Sequence, residues 1–412
     1  MNNIFDVAII GAGPAGMMAA ISAKNSKNNV CIIEKNFSFG NKLLLSGKGR
    51  CNVTSSKDIH DIVKAFGREG RFLYGVLSQF TNQDLMAFFE ERGVKLKVER
   101  GDRVFPVSND ASAILNCLFD EIKRKNINII NDFEVFKIRK TNELFEIYSR
   151  SGKILSKKIV ISTGGMSYPK TGSNGSGYKF AKYFGHTIID PIPALVPLIV
   201  NDKNLNSLAG LSLKNVELSF QSNNKIFSKE FGEMLFTHKG ISGPIVLKQS
   251  KDVYQKIKSG GEVIAKIDLK PRLDEITLRK RIIKEITEAP KKEYQNLLAT
   301  LLPRLLILYA TDYTKIVRHQ QSSTLLKEQL TLLVNFLKNF NFKIDKVDSI
   351  NHAIVTHGGV PIQEIDRKTM ESKVVLGLYF AGEIICLDGP TGGFNMQKAF
   401  STGYVAGKSS ST

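Results

Sequence analysis

Three glycines near the start of the chain have the spacing of a loop that binds nucleotide phosphates. Gly11, Gly13 and Gly16 follow a short apolar segment and precede one rich in Ala and Met, so the G-x-G-x-x-G pattern joins a predicted strand to a predicted helix. The first glycine permits a tight turn, the second lets the backbone approach a pyrophosphate, and the third lets helix and strand pack closely. With Pro14 and Ala15, this loop predicts a dinucleotide at the helix N-terminus; a glycine turn without a ligand is the alternative.

Glu34 supports the prediction of a dinucleotide. It lies eighteen positions beyond Gly16, at the end of a second predicted strand at 30–33. Its carboxylate can accept hydrogen bonds from both ribose hydroxyls, and its charge would repel a 2′-phosphate. We therefore expect a dinucleotide other than NADP here, and we place Lys35 beside it.

A second pattern, near the C-terminus, indicates which dinucleotide binds. Residues 377–383 read as a strand that runs into Gly382-Glu383. This pattern resembles the second signature of FAD-binding flavoproteins of the two-dinucleotide-fold type, in which an acidic residue, usually Asp, bonds the ribityl chain. Because NAD has no ribityl group, the two signatures together favour FAD. The alternative for Glu383 is a turn at a strand end.

A glycine turn at Gly392-Gly393 leads into the last predicted helix. Reduced flavin carries negative charge at its pyrimidine end, and free N–H groups at a helix start would stabilise that charge. The backbone N–H groups of Asn395 and Met396 are the expected donors. A helix cap formed by the Asn395 side chain is the alternative.

Two further glycine-rich loops, at 40–52 and 162–177, fit no simple turn type. The first lacks the spacing of an ATP-binding P-loop, and Lys42, Lys48 and Arg50 in it could face the pyrophosphate or an anionic substrate. Cys51 is either a reactive thiol or a small apolar filler. The residues expected at the cofactor in these loops and in the segment between them are Lys42, Ser46, Gly47, Arg50, Cys51, Asn52, Val135, Thr163, Gly164 and Gly165.

These loops carry a resemblance to a known family. The segments 40–52, 163–165, 237–244, 356–360 and 382–383, with 392–395, resemble the aminoacetone oxidase family of FAD-binding flavoproteins, which also includes BaiN-like bile-acid reductases. The resemblance implies an FAD domain made from both chain ends, with a central insertion. It also implies redox chemistry at the flavin, either amine oxidation with oxygen as acceptor or reduction of a conjugated enone with a nicotinamide cofactor. The family is functionally mixed, so the resemblance does not fix the substrate.

The order of the strands and helices predicted along the chain indicates an α/β fold. It consists of a Rossmann-like FAD-binding domain and a central insertion with a β-barrel-like and a helical subdomain. The FAD-binding domain is expected at 1–190 and 350–412, and the insertion at 191–349, β-barrel-like at about 191–270 and 340–349 and helical at about 271–339. In the first part, strands are predicted at 6–11, 30–33, 127–130, 134–140, 144–149, 153–155 and 158–163, and helices at 14–24, 82–92 and 110–125. In the insertion, strands are predicted at 195–200, 216–221, 225–231 and 261–269, and helices at 273–288, 291–311 and 325–339. The last part is predicted to hold strands at 353–356 and 378–381 and a helix at 395–407.

The net charge of +19 raises the question of a nucleic-acid partner. The basic residues are spread along the chain and no run of five or more occurs, so a general compositional bias is favoured over a nucleic-acid footprint. No export signal or membrane span is predicted, which places the protein in the cytoplasm. The four cysteines form no Cys-x-x-Cys pair, and no metal site is predicted. The sequence does not indicate the oligomeric state.

The predicted function is that of an FAD-dependent oxidoreductase that transfers a hydride between a small organic substrate and flavin N5. His238 and His357, each in a glycine-flanked loop, are the candidate proton-transfer residues. No second G-x-G-x-x-G accompanies a βαβ unit, so any NAD(P)H is expected to dock transiently in the substrate cleft. The alternatives are an FAD-dependent RNA-modifying protein and a flavin-binding regulator without turnover.

Overall fold

The computed structural model describes residues 4–412, apart from the side chain at position 203. Residues 1–3, which the predicted first domain includes, lie outside the described part. Contacts within the chain divide it between residues 192 and 193 and again between 349 and 350. A first compact unit therefore contains both chain ends, and a second contains residues 193–349.

The first unit is built on a seven-stranded sheet. Its parallel part runs in the order Asn128–Ile130, Val30–Ile33, Ile4–Ile10 and Gly152–Ile161, and Leu378–Phe380 pairs in parallel with the last of these. The strands Leu144–Ser149 and Lys137–Thr141 extend it as an antiparallel meander. The carboxyl ends of the parallel strands are where the glycine motifs begin, as expected for a nucleotide-binding sheet.

The first and last helices bring the two chain ends together. Pro14 occupies the first turn of the helix Pro14–Ala23, where its missing N–H costs nothing. The helix Phe394–Ser410 packs against it closely: a Cβ on Gly403 would lie 2.2 Å from the Ala15 carbonyl oxygen, and one on Gly407 would lie 2.0 Å from that of Ala19. Two glycines four residues apart thus let the backbones approach.

The remaining elements of the first unit surround this layer. Its other helices are Asn41–Leu45, Ile59–Ala65, Tyr74–Leu77, Asn82–Glu90, Ala111–Arg124 and Ser176–Tyr183. A three-stranded antiparallel sheet contains Thr54–Ser55, Leu96–Glu99 and Arg103–Pro106. The strand Val355–Gly359 pairs with Ile189–Ala194, a strand that begins in this unit and ends two residues beyond it.

The second unit contains an antiparallel sheet and a group of helices. The sheet order is Phe340–Ile344, Val263–Asp268, Ser212–Ser222, Lys225–Thr237, Gly240–Ser242, Leu198–Ile199 and Lys346–Val347. The helices are Lys203–Asn206, Pro244–Lys258, Glu275–Glu288, Tyr294–Leu301, Arg304–Thr314 and Lys327–Lys338. Among residues 4–412, no helix combines the length and the apolar character needed to cross a bilayer.

The predicted fold class is confirmed, since a Rossmann-like parallel sheet occurs together with a separate antiparallel sheet. Some element predictions were wrong. The helix predicted at 291–311 is two helices, because Pro303 lacks an N–H and restrains Leu302 to an extended backbone. The two strands predicted at 153–155 and 158–163 form the single strand Gly152–Ile161. The helix Pro244–Lys258 was missed behind the Gly243-Pro244 pair, which marks its first turn rather than a loop.

Candidate cofactor site

The first glycine loop has the geometry that a pyrophosphate requires. Gly11 has a φ of +104°, and a Cβ there would lie 2.7 Å from the Ser162 carbonyl oxygen. A Cβ on Gly16 would lie 1.8 Å from the Gly11 oxygen, so this position packs helix against strand. A Cβ on Gly13, in contrast, would meet nothing within 4 Å. The absence of a side chain at Gly13 therefore leaves open space at the helix start rather than relieving an internal clash.

Glu34 lies against this loop. Its Oε2 accepts a hydrogen bond from Ala12 N at 2.8 Å, and its Oε1 accepts one from Asn36 N at 3.0 Å. The Phe133 N–H donates to the Glu34 carbonyl oxygen at 3.0 Å, which brings the segment containing the buried Val135 next to the acidic residue. These contacts fix the carboxylate at the end of its strand, beside the open space at Gly13.

Lys35 lies near a different loop. A Cβ on Gly172 would lie 3.3 Å from the Lys35 Cε, and the Asn36 Nδ2 donates to the Thr171 carbonyl oxygen at 3.2 Å. The chain beyond Glu34 thus meets the second glycine-rich loop.

The donor groups around the first loop fit a dinucleotide. The first backbone N–H that donates within the helix is that of Met17, to Gly13 O at 2.9 Å, so the N–H groups of Ala15 and Gly16 precede the helical hydrogen bonds. Thr163 Oγ1, a predicted cofactor contact, is buried without a hydrogen-bond partner in residues 4–412. Open space, first-turn donors and an adjacent carboxylate are the groups that bind a pyrophosphate and its ribose.

Glu383 forms the centre of a polar cluster that joins distant segments. Its Oε2 receives a hydrogen bond from Lys42 Nζ at 2.5 Å, and its Oε1 receives bonds from Ser167 Oγ at 2.9 Å and Thr356 N at 2.8 Å. Burial opposes charge on Glu383, but Lys42 and the Thr356 N–H outweigh it and lower the pKa of the carboxyl. Its carboxylate therefore links the loops around the site, and a ribityl contact remains a prediction.

The loop at 163–167 is fixed by the same cluster. Thr356 Oγ1 accepts from Met166 N at 2.8 Å and from Ser167 N at 3.0 Å, and a Cβ on Gly165 would lie 2.5 Å from that oxygen. Gly164 has a φ of +76°. Glycine at position 165 thus permits close packing against Thr356, and glycine at position 164 permits a left-handed backbone conformation.

His357 has a carboxylate partner that the sequence analysis missed. The residue follows Thr356 in the strand, and its Nδ1 is hydrogen-bonded to Asp388 Oδ1. The side chains are 19% and 9% exposed. A carboxylate on Nδ1 orients the imidazole and leaves Nε2 for another partner. The only signal in the sequence was an acidic residue directly before Gly389-Pro390.

The loop at 46–52 has a strained backbone. Positive φ angles occur at four of its residues, Gly47, Lys48, Gly49 and Cys51. The two that are not glycine, Lys48 and Cys51, adopt this conformation only at a cost in energy. Cys51 is fully buried, and burial raises the pKa of its thiol to about 12, so of the two interpretations the structure favours an unreactive filler.

Arg50 and Ser46 of this loop have local partners. The Arg50 guanidinium pairs with Glu99 Oε1 at 3.0 Å and stacks over Phe105 at 4.0 Å. Ser46 Oγ donates to the Leu43 carbonyl oxygen at 2.7 Å. Lys48 lies in a turn with a φ of 60°. Arg50 thus stabilises the neighbouring β-hairpin.

The loops at 40–52 and 389–393 meet at Asn52. With its amide oxygen directed at Gly393, Asn52 accepts from Gly393 N at 3.0 Å and donates to the carbonyl oxygens of Thr54 at 3.0 Å and Val104 at 3.1 Å. A Cβ on Gly393 would lie 2.2 Å from Thr54 O. Gly392, with a φ of +124°, precedes this contact.

The start of the last helix presents free backbone donors. Gly393 is its N-cap, and the Gln397 N–H donates to the Gly393 oxygen at 2.9 Å. The N–H groups of Asn395 and Met396 precede that bond and have no partner within the helix. The Asn395 side chain does not cap the helix; it accepts from Gly389 N at 2.9 Å and donates to Gly389 O at 2.6 Å.

The second candidate histidine lies in the other unit. His238 lines a cleft of about 440 Å³ within the second unit, together with Asn201, Asn206, Lys239 and Lys346. The two histidines therefore belong to separate units. His357 directly follows Thr356, whose backbone N–H donates to Glu383.

The parallel sheet, the glycine loop at its carboxyl edge and the acidic residue at the end of the next strand define a Rossmann-type nucleotide-binding protein. A family model described as the HI0933-like protein Rossmann domain matches residues 5–409. The chain belongs to this family of FAD-binding Rossmann oxidoreductases.

Two relatives and one solved structure illustrate the similarity. The chain is 30% identical over 404 residues to the 3-dehydro-bile acid delta(4,6)-reductase of Clostridium scindens, with 98% of each chain covered. It is 30% identical over 405 residues to the ribosomal RNA dihydrouridine synthase of Haemophilus influenzae, with 96% of each covered. A flavocytochrome c3 fumarate reductase in its open conformation has a similar fold, with a TM-score of 0.53, 16% identity and coverage of 99% of this chain and 78% of that one.

Proposed function

We propose that this protein is an FAD-dependent reductase of a carbon–carbon double bond conjugated to a carbonyl group. The observation that carries the proposal is the near full-length similarity to two relatives with differently named substrates. A 3-dehydro bile acid with Δ4,6 unsaturation is a conjugated ketone. In uridine, the bond that becomes saturated in dihydrouridine is conjugated to a ring carbonyl. Reduction of such a bond is the chemistry that the two names share.

Residues of the first unit would hold FAD. The open space at Gly13 and the first-turn N–H groups of Ala15 and Gly16 would take the pyrophosphate, and Glu34 the adenosine ribose. The N–H groups of Asn395 and Met396 would face the pyrimidine end of the flavin. When bound and reduced, FAD would supply a hydride from N5.

Saturating a conjugated double bond also requires a proton, because a hydride adds to the carbon β to the carbonyl and a proton to the α carbon. We assign the proton to His357 Nε2, with Asp388 orienting the ring through Nδ1. His357 directly follows Thr356 in the sequence, and the Thr356 N–H donates to Glu383. His238 is the second candidate, and a nicotinamide cofactor that docks transiently is the proposed electron donor.

Ribosomal RNA is a second candidate substrate. It is favoured by the relative named for dihydrouridine synthesis and by the net charge of +19, which would strengthen binding to a polyanion. On this proposal, affinity for RNA falls steeply with salt concentration. A small conjugated ketone would show no comparable salt dependence.

Anaerobic stopped-flow spectroscopy tests the proposed function. The FAD-loaded protein is first mixed with NADH, NADPH or an amine, and bleaching of the flavin is recorded. The reduced protein is then mixed with a 3-oxo-4,6-diene bile acid or with unmodified ribosomal RNA. The proposal expects flavin reoxidation by at least one of these and a product that has gained two hydrogens. Bleaching by amines, with no reoxidation by either conjugated substrate, would instead support amine oxidation.

A further inference from the structure

Lys398 is a buried lysine in the last helix. Only 3% of its surface is exposed, whereas lysine is almost never fully buried unless it has a partner. Its Nζ donates a hydrogen bond to the carbonyl oxygen of Leu387. Leu387 directly precedes Asp388, the carboxylate bound to His357.

The last helix holds the segment around Asp388 on both sides. Lys398 binds the carbonyl group before Asp388, and the Asn395 side chain binds both the N–H and the carbonyl oxygen of Gly389 after it. Asp388 is therefore fixed between two anchors from one rigid helix. Such support determines how accurately a carboxylate can orient its imidazole.

The charged and titratable groups near Lys398 are Glu383, Asp388, Cys386 and Lys42. Burial lowers the pKa of Lys398 to about 8, although the two carboxylates act against this shift. Burial raises the pKa of the Cys386 thiol to about 11, and Lys42 helps to lower that of Glu383. Lys398 is therefore charged at neutral pH and loses its proton in mildly alkaline solution, where Cys386 remains a thiol and Glu383 a carboxylate.

We propose that Lys398 is a positioning residue that holds Asp388 against His357 and balances the negative charge of Asp388. The hydrogen bond and the ring environment of the His357–Asp388 dyad then depend on whether Lys398 carries its positive charge. The proposal rests on the proposed function in that it treats the dyad as the proton donor. While Lys398 is protonated, it is a strong donor to the Leu387 oxygen and a cation close to Asp388. After deprotonation the cation is lost, and a weaker donor remains.

Histidine NMR on the FAD-loaded protein tests this proposal without turnover. The chain has six histidines, so the His357 ring signals can be assigned from their loss in His357→Gln. Wild type is expected to show a change in these signals centred near pH 8, because burial lowers the pKa of Lys398 to about 8. Lys398→Met should abolish that change, because Met fills the space without a charge. Lys408→Met, at an exposed lysine of the same helix, should retain it.

Kinetics provide the second readout. Lys398→Met is expected to slow substrate-dependent flavin reoxidation about tenfold and to remove its alkaline limb near pH 8, with NAD(P)H-dependent reduction unchanged. If Lys398→Met does not fold, Lys398→Gln retains a donor without the charge, and the wild-type titration stands independently. The proposal is overturned if wild type shows no change near pH 8, or if the change persists in Lys398→Met or Lys398→Gln. Failure of the proposed function would appear separately, as a normal titration with no conjugated substrate reduced.

Discussion

Gly13→Ala should weaken FAD binding with little effect on folding. Gly13 has a φ of −81° and a ψ of −179°, an ordinary extended backbone that alanine adopts. Its Cβ would meet nothing within 4 Å, so the substitution causes no clash inside the protein. The expected cost to the apoprotein is about 0.5–1 kcal/mol, the difference between glycine and alanine at a helix N-cap.

The loss in affinity follows from the same open space. A methyl group at Gly13 would occupy the space proposed for the pyrophosphate and prevent at least one charge-assisted hydrogen bond to the helix start. Such a bond contributes about 1.5–3 kcal/mol to binding, so its loss should raise the Kd for FAD roughly 10- to 150-fold. Gly16→Ala is the contrasting variant, because its Cβ would lie 1.8 Å from the Gly11 oxygen and should destabilise the apoprotein itself.

The two variants are compared by calorimetric titration of deflavinated protein with FAD and by thermal melting without FAD. Gly13→Ala should melt within a few degrees of wild type and bind FAD more weakly. Gly16→Ala should melt at a clearly lower temperature. Wild-type affinity for FAD in a folded Gly13→Ala protein would refute the proposed pyrophosphate position.

Three further variants test other parts of the structure. Glu34→Ala removes the acceptor for Ala12 N and the proposed ribose contact, so titration with FAD should show an affinity reduced about tenfold. His357→Asn should slow reoxidation of reduced flavin by a conjugated substrate about 10²- to 10⁴-fold while leaving flavin reduction intact in stopped flow; an equal rate would exclude His357 as the proton donor. Glu121, which is 4% exposed, binds Arg124 at 2.6 Å, and this bond lowers its pKa to about 2. Because the pKa of Glu121 is lower in the folded protein, the ionised carboxylate stabilises the fold at pH values above the usual carboxyl pKa, and this contribution is lost as the pH falls towards 2. Glu121→Gln should therefore lower the free energy of unfolding in urea by about 2 kcal/mol at neutral pH and by progressively less below about pH 4.

Local patterns were sufficient to predict the nucleotide-binding part of the fold. A glycine loop after a continuous apolar segment is compatible with few folds, because each glycine is required for a separate steric reason. The structure shows these reasons: Gly11 has a positive φ, Gly16 packs against a carbonyl group, and Gly13 leaves open space. The acidic residue at the end of the second strand follows from the same local geometry.

Contacts between distant segments could not be read from the sequence. Asp388 meets His357 across thirty-one positions, and Lys42 meets Glu383 across 341. Lys398 looks like a surface residue in a helical pattern, and only packing of that helix against the rest of the unit buries it. Tertiary packing sets these partners, and hydrophobic periodicity carries no information about them.

The central claim is that bound FAD passes reducing equivalents to a double bond conjugated to a carbonyl group. The most direct test is to reduce the FAD-loaded protein anaerobically, add a 3-oxo-4,6-diene bile acid or unmodified ribosomal RNA, and follow the flavin absorbance together with the product mass. Reoxidation of the flavin is expected at the same rate as formation of a product with two added hydrogens. A protein that takes up no FAD, or a reduced flavin that oxygen reoxidises and both conjugated substrates leave unchanged, would contradict it.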